Sequence, residues 1–521
     1  MFFIGVAFAG DPSLVDLPET TCRDSWRGII NQGRHNFKVS GSHQVDSNGH
    51  NQEYQDWLTP LERFNCKKKW TILVYMQADN DLRPYAFWDI AEMESAFSNR
   101  LAGSTINTDV LIQLDTDQDR KLRRLHLFQS ENSMPEEGYQ YYQNYQIGDV
   151  SSPIVQEFDE DQLSQSQQQA KTFKDFIEWG MANYPSDHYM VIIWGHGQGW
   201  SQSSAVQFGG IATDDSDNQR ISVTQIRESL KEIRENSTTN EKVDVLVSDA
   251  CLMQTVEVAS ELGEESRFVI GSTQIQNFMG LPYRRLLYEV NSNRYLNLSQ
   301  DPKYQNDLPY RMAALIPKLA ASSFAPTSFG NGFHQGDFDP TAWNLFTMSS
   351  INAQELSNFA PEAFQDLSDA IVQSMREDSF ISFELASIVE RIEKFLGGSR
   401  DVLTFLAHLE AFYLSGTTQV SSNTLSNLMD SIQYLRDVMR RSVVDYFYGE
   451  HYWANTDSGY FLGHFQAVGV WLPLNEDNFN ATSNQLKNSF FVKALSNSNW
   501  LNWMRYLYND EELLLENEKL D

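Results

Sequence analysis

The chain has 521 residues, 41% of them hydrophobic and 13% aromatic, enough for two or three domains with cores of their own. Thirty-nine basic against seventy acidic side chains give a formal charge of −31, which repels nucleic acid and anionic membrane surfaces and argues against DNA or RNA binding. No run reaches the roughly 18–20 apolar residues that cross a bilayer as a helix, and the three cysteines, Cys22, Cys66 and Cys251, offer no spacing suited to structural zinc.

The opening MFFIGVAFAGDPS has an apolar stretch ending in Ala7-Phe8-Ala9, the small-residue pattern of a signal cleavage site, without a basic start. It reads as the remnant of an export signal, giving a periplasmic or secreted protein, or else as an ordinary buried segment. In an oxidising compartment Cys22 and Cys66 are able to pair, although spacing alone does not establish it. Residues 10 to about 66 are polar and without helical or strand period, so 1–66 reads as an N-terminal arm, extended or partly disordered beyond the signal remnant.

From Trp70 the character changes. WTILVYMQA, DVLIQLD (109–115), HYMVIIW (188–194), VDVLVSDA (243–250) and RFVIGS (267–272) are short β-branched runs, apolar almost throughout, as strands covered on both faces are. Helical patterns lie between them, in QQAKTFKDFIEWGMANY and in SVTQIRESLKEIREN. In the second, Ile226, Leu230 and Ile233 share a face, and Ser222 with Gln225 forms a capping box. This alternation predicts an α/β domain over 67–290, a mostly parallel sheet with helices on both faces. Residues 291–509 read as an α-rich C-terminal domain, with helices in PEAFQDLSDAIVQSMRE, DVLTFLAHLEAFYL and NTLSNLMDSIQYLRDVMRRSVVDYF. A late strand, FQAVGVWLPL, and a final helix around WLNWMRYLY precede an acidic tail over 510–521.

Two strand ends carry reactive residues, where open α/β sheets place their ligand sites. In IIWGHGQGW, His196 is flanked by Gly195, Gly197 and Gly199, and a backbone N–H such as that of Gly197 is able to face a developing oxyanion. Glycine-flanked histidines also occur in plain tight turns. In VDVLVSDACLMQTVEVASEL, Cys251 ends a strand and opens an apparent helix, whose N-terminus would favour the thiolate; buried free cysteine that merely packs is the alternative. Fifty-five residues and one helix separate the two, close to the histidine-to-cysteine spacing of about 50 in caspases, which puts both at one edge of the sheet.

With WTILVYMQADNDL, MVIIWGHGQGW, IATDDSDNQRISVTQI, VLVSDACLMQTVEVASEL, VIGSTQ followed by GLPY, and the later DVLTFLAHL and GVWLPL, the chain resembles the clostripain-like cysteine peptidases over roughly 67–505. The resemblance implies a caspase- and gingipain-type fold and a cysteine endopeptidase that works through an acyl-enzyme. His196 and Cys251 are then the catalytic dyad, with the N–H groups of Gly197 and Cys251 as the oxyanion hole. Asp249 would line the pocket for the residue before the cut and suit arginine or lysine, or else cap the following helix. A further acid usual in the loop after VIGST is missing; Met279 stands in that stretch and suggests a more apolar pocket. Residues 197–213 contain no lysine or arginine, so a single chain, or processing elsewhere, is expected. No cofactor is required. Calcium dependence within the family makes Asp214, Asp215 and Asp217 candidate ligands, a solvated acidic turn being the other reading. DTDQD at 115–119 is rejected as an EF-hand, since Arg120 replaces the needed glycine. The expected partner is a peptide or protein substrate; the rival function is a catalytically silent scaffold on the same fold.

Overall fold

The structure, a computed structural model, describes residues 45–47, 49–52, 54, 67–95, 102–105, 107–130, 139–159, 168–200, 209–237, 242–276, 280–292, 307–324, 346–449, 465–473, 477, 479, 500, 503, 504 and 507. The export-signal stretch, the proposed Cys22–Cys66 pair, Met279 and the acidic tail lie outside them.

A nine-stranded sheet organises the molecule. Its strands are β1 (Lys68–Ala78), β2 (Thr108–Thr116), β3 (Lys121–His126), β4 (Ile154–Asp159), β5 (Ser186–Trp194), β8 (Val243–Asp249), β9 (Ser266–Gly271), β10 (Thr347–Asn352) and β12 (Val443–Tyr448). A two-stranded ribbon, β6 (Ile211–Asp214) with β7 (Gln219–Ile221), lies between β5 and β8 in sequence, and a second pairs β11 (Ser399–Asp401) with β13 (Gly469–Trp471). The order across the large sheet is β12-β10-β9-β8-β5-β1-β2-β3-β4. The five central strands, β9 to β2, are parallel, and antiparallel strands close each side.

Side chains on these strands alternate between two cores. Leu73, Tyr75, Val191, Ile193 and Leu246 pack under α2 (Gln168–Asn183), α3 (Val223–Asn236) and the C-terminal helices. Ile72, Val74, Ile192, Val245 and Val247 pack on the other face, under α1 (Arg83–Glu94) and α5 (Tyr283–Asn291). Both faces are dry, which is why the strand sequences are apolar without alternation. The capping box of α3 forms as expected: Gln225 N–H donates to Ser222 Oγ at 3.2 Å, and Ser222 N–H to Gln225 Oε1 at 2.9 Å. Its Ile226, Leu230 and Ile233 are buried.

One expected element changes. VVDYFY, taken as the end of a long helix, leaves that helix at Ser442 and pairs as β12 with β10, its β-branched and aromatic residues suiting a pleated edge better than a helix. The sheet thereby continues across the boundary expected near residue 290. The N-terminal arm is also not wholly free. Tyr54 is buried, and its O–H donates to His126 Nδ1 at 2.5 Å, because His126 Nε2 already donates to Asp109 at 2.9 Å.

The C-terminal residues reach the centre through Glu257, which is buried at the start of α4 (Val256–Leu262) and accepts the Trp471 N–H at 2.8 Å. Its other oxygen has no hydrogen-bond partner among the described residues, and burial pushes the carboxyl up to about 7. Ionising it in the fold is therefore unfavourable, a cost absent below the unfolded value of about 4.3 and complete above pH 7. Glu257→Gln keeps the acceptor and removes the charge. It should stabilise the protein by about 1–3 kcal/mol at pH 8 and by nothing near pH 4 in urea titrations; an equal effect at both would show that Glu257 is not ionised against a penalty.

Candidate active site

Trp194 at the end of β5 and Asp249 at the end of β8 are register partners. Two residues beyond each stand His196 and Cys251, so the pairing of adjacent parallel strands brings the two expected residues to one edge. The histidine loop leaves β5 through Gly195, whose φ of 142° lies where a β-carbon is disfavoured. Gly197 has a different reason to be glycine: a β-carbon there would lie 2.2 Å from the Cys251 carbonyl oxygen. The loop is pinned to β6, Ala212 N–H donating to the His196 carbonyl and Gln198 N–H to the Gly210 carbonyl, both at 2.9 Å. This ladder uses the neighbours of Gly197 and leaves the Gly197 N–H outside it, directed by a backbone packed against Cys251.

The cysteine corrects one expectation. It does not open a helix: β8 ends at Asp249, and α4 begins only at Val256, capped by the Thr255 side chain, which accepts from Val258 N–H. Leu252 takes a φ of 62°, an uncommon conformation for a branched residue, and turns the chain sharply after the thiol. The backbone then runs beside the extension of β9, with Leu252 N–H donating to the Gln274 carbonyl at 3.1 Å and Gln254 N–H to the Ser272 carbonyl at 3.0 Å. No helix begins at the thiol. Burial pushes its pKa up, as does the charge of Asp249, while the Gln276 N–H that donates to Sγ at 3.2 Å works in the opposite direction.

Since Thr255 caps α4, Asp249 does not. It is buried and accepts from the Tyr283 hydroxyl at 2.6 Å, the Leu281 N–H at 3.2 Å and the Gln276 side-chain amide. Burial pushes its carboxyl up to about 6 against those bonds. His196, Cys251, Trp194, Asp249, Gln276 and Gly280 line one cleft of about 340 Å³, its open mouth included.

Sequence reasoning passed over three residues. Asp81 Oδ1 meets His196 Nε2 at 2.6 Å. Asn80 sets its loop, donating to the Thr213 carbonyl at 2.7 Å and accepting the Leu82 N–H at 2.9 Å. Asp81 lies within the quoted ADNDL, but which of its acids faces the histidine depends on that loop. Gln276 reaches the thiol through its backbone N–H, which no side-chain pattern reports. Asp89 is buried on α1, where it accepts the Trp194 indole N–H at 2.7 Å; polar residues interrupt the apolar face of that helix, so burial there is not legible from period.

Two of the three calcium candidates have protein partners. Asp217 pairs with Arg120 at 3.1 Å, and Asp214 accepts the Asp217 N–H and the Gln169 amide. Among the described residues no group of three or more His, Cys, Asp or Glu is placed to hold an ion. No helix of the described residues is long and apolar enough to cross a membrane.

Comparison with known proteins follows the same lines. A model of the clostripain family matches residues 74–503. Clostripain from Hathewaya histolytica is 24% identical over 257 residues, 47% of this chain, and the match spans only 46% of clostripain's own length. A secreted C11 cysteine protease from Bacteroides thetaiotaomicron, solved in complex with an irreversible peptide inhibitor, superposes with a TM-score of 0.50 at 18% identity, covering 84% of this chain and 99% of that one. An inactive zymogen C11 protease from Parabacteroides distasonis gives 0.48 at 15% identity, over 82% and 98%. The mostly parallel, helix-flanked sheet is thus the fold of the Bacteroides thetaiotaomicron protease, and the chain belongs to the clostripain family.

Proposed function

We propose that this chain is an exported cysteine endopeptidase that cuts peptide bonds after arginine or lysine through a His196/Cys251 dyad. The observation that carries the reading is that both side chains line one cleft beyond the paired ends of β5 and β8, with a buried carboxylate, Asp249, in the same wall. Export is supported by the Ala7-Phe8-Ala9 pattern and by the Bacteroides thetaiotaomicron protease being a secreted one.

In the proposed reaction the Cys251 sulfur attacks the scissile carbonyl carbon while His196 takes the thiol proton. The carbonyl oxygen becomes an oxyanion held by the N–H groups of Gly197 and Cys251. Collapse breaks the C–N bond, His196 passes its proton to the departing amine, and the acyl group stays on sulfur. Water then attacks the thioester, giving His196 one proton, and the thiolate leaves and recovers it. Asp81 holds Nε2, which leaves Nδ1 for the proton traffic. Because burial disfavours the free thiolate, proton transfer to His196 is coupled to substrate attack rather than completed beforehand. No step needs a metal.

Cleavage of a mixed peptide library tests the reading. Cys251→Ala and His196→Ala should each lose at least about 10³-fold in rate, with cuts after arginine and lysine in the parent protein and no change on adding EDTA. If parent and variants alike cut nothing, the fold serves as a scaffold instead. Iodoacetamide labelling of Cys251 in the free protein should climb through a midpoint above the usual ~8.5; full-rate labelling at pH 6 would refute the buried thiol. Since Asp81 is 78% exposed, Asp81→Asn should cost only about fivefold in kcat with KM unchanged, and an unaltered kcat would remove it from the site.

A further inference from the structure

Behind the cleft wall stands a group the proposed reaction does not use. Asp89, wholly buried on α1, has one oxygen on the Trp194 indole N–H and the other without a partner among the described residues. Gly280 joins it to Asp249. With a φ of 62°, Gly280 is in the left-handed region, and a β-carbon there would sit 2.8 Å from Asp89 Oδ2, 3.0 Å from Asp249 Oδ2 and 3.5 Å from Trp194 Nε1. Both carboxyl groups therefore press on the same point of the wall, and Trp194, Gly280 and Asp249 all face the cleft.

No cation among the described residues pairs with either carboxyl. Glu92 adds a further acid from α1, with Arg284 beside it rather than beside the pair. Tyr283 gives Asp249 a neutral hydroxyl, Gln276 a neutral amide, and His196 and Cys251 stand at the mouth. Two adjacent carboxylates in a dry site do not both stay ionised; one proton stays on the pair unless a positive charge arrives. Burial pushes Asp249 up to about 6, and burial together with the Asp249 charge pushes Asp89 well above the carboxylate range, so of the two Asp89 is the one that favours the proton.

We propose that Asp89 is the second acid of the subsite for the residue before the cut, a positioning residue that gives up its proton to solvent when an arginine or lysine side chain enters. It does from α1 what the loop after β9 does not do in this sequence, where QIQNFMG supplies no carboxylate. The inference rests on the reading of Asp249 as the acid of that subsite.

Isothermal titration of the Cys251→Ala protein with an uncleaved peptide carrying arginine before the cut site, and with its neutral citrulline counterpart, tests it. Between pH 6.5 and 8.5, in buffers of different ionisation enthalpy, arginine-peptide binding should release about one proton and tighten about tenfold per pH unit; citrulline binding should do neither. Adding Asp89→Asn, which keeps an acceptor for Trp194, should abolish both the release and the slope. Arginine preferred over citrulline with no proton released would overturn the role of Asp89 and leave basic specificity standing, as would an unchanged slope in the double variant. Equal binding of the two peptides would sink basic specificity and the inference with it. Should the double variant not fold, the proton count of Cys251→Ala alone decides.

Discussion

The register of two neighbouring parallel strands governs everything else in the site. Trp194 opposite Asp249 puts the ends of β5 and β8 level, so the same two-residue overrun delivers a histidine from one strand and a cysteine from the other. A one-residue slip would turn every side chain of a strand to the opposite face. Both faces here are buried, under different helices, so the register is held by two cores at once. Ile193 and Leu246 lock it from one side, Ile192 and Val247 from the other. β1 adds its own loop at the same edge, Met76 being opposite Trp194, and so supplies Asp81 without further machinery.

Around that edge the protein uses glycine for close approach more than for freedom. Gly197 lets the histidine loop lie against the backbone of Cys251, and Gly280 lets the loop after β9 lie against two carboxyl groups. What is packed so tightly is buried, and that has an electrostatic consequence. Burial pushes the thiol of Cys251 up, raises Asp249 to about 6 and pushes Asp89 well above the carboxylate range. The buried pair thus keeps a single charge at neutral pH, on Asp249, in a chain that as a whole is strongly acidic. In the proposed reaction the further charges form when substrate arrives, with a cation opposite the carboxyls and an oxyanion opposite two N–H groups.

The C-terminal part takes a share in this rigidity. Gly469 N–H donates to the Gln254 carbonyl at 3.1 Å, Trp471 N–H to Glu257, and Trp471 meets Trp200 edge-on at 5.8 Å. These contacts brace the stretch between Cys251 and α4 from behind. A cysteine on a turn with Leu252 at positive φ sits beside stored strain, and strain of that kind persists only where surrounding structure over-determines it.

Legibility followed the range of the forces involved. The five central strands were readable because burial on both faces writes an unbroken apolar run, and His196 and Cys251 because each ends such a run. The helix expected at Cys251 was not there, since DACLMQTVEVASEL has helical composition throughout and only the pairing of residues 252–254 with 272–274 delays the helix to Val256. β12 was misread for the same reason in reverse: VVDYFY follows a strong helix without a break, and its partner β10 lies some ninety residues earlier in the chain. Asp89 shows the limit most clearly. A lone aspartate on a helix reads as a solvated residue, and its meaning comes from Gly280, Trp194 and Asp249, which three other segments bring to it. Local pattern reveals where chemistry is placed; the surroundings that set the charge of each group are assembled only by the fold.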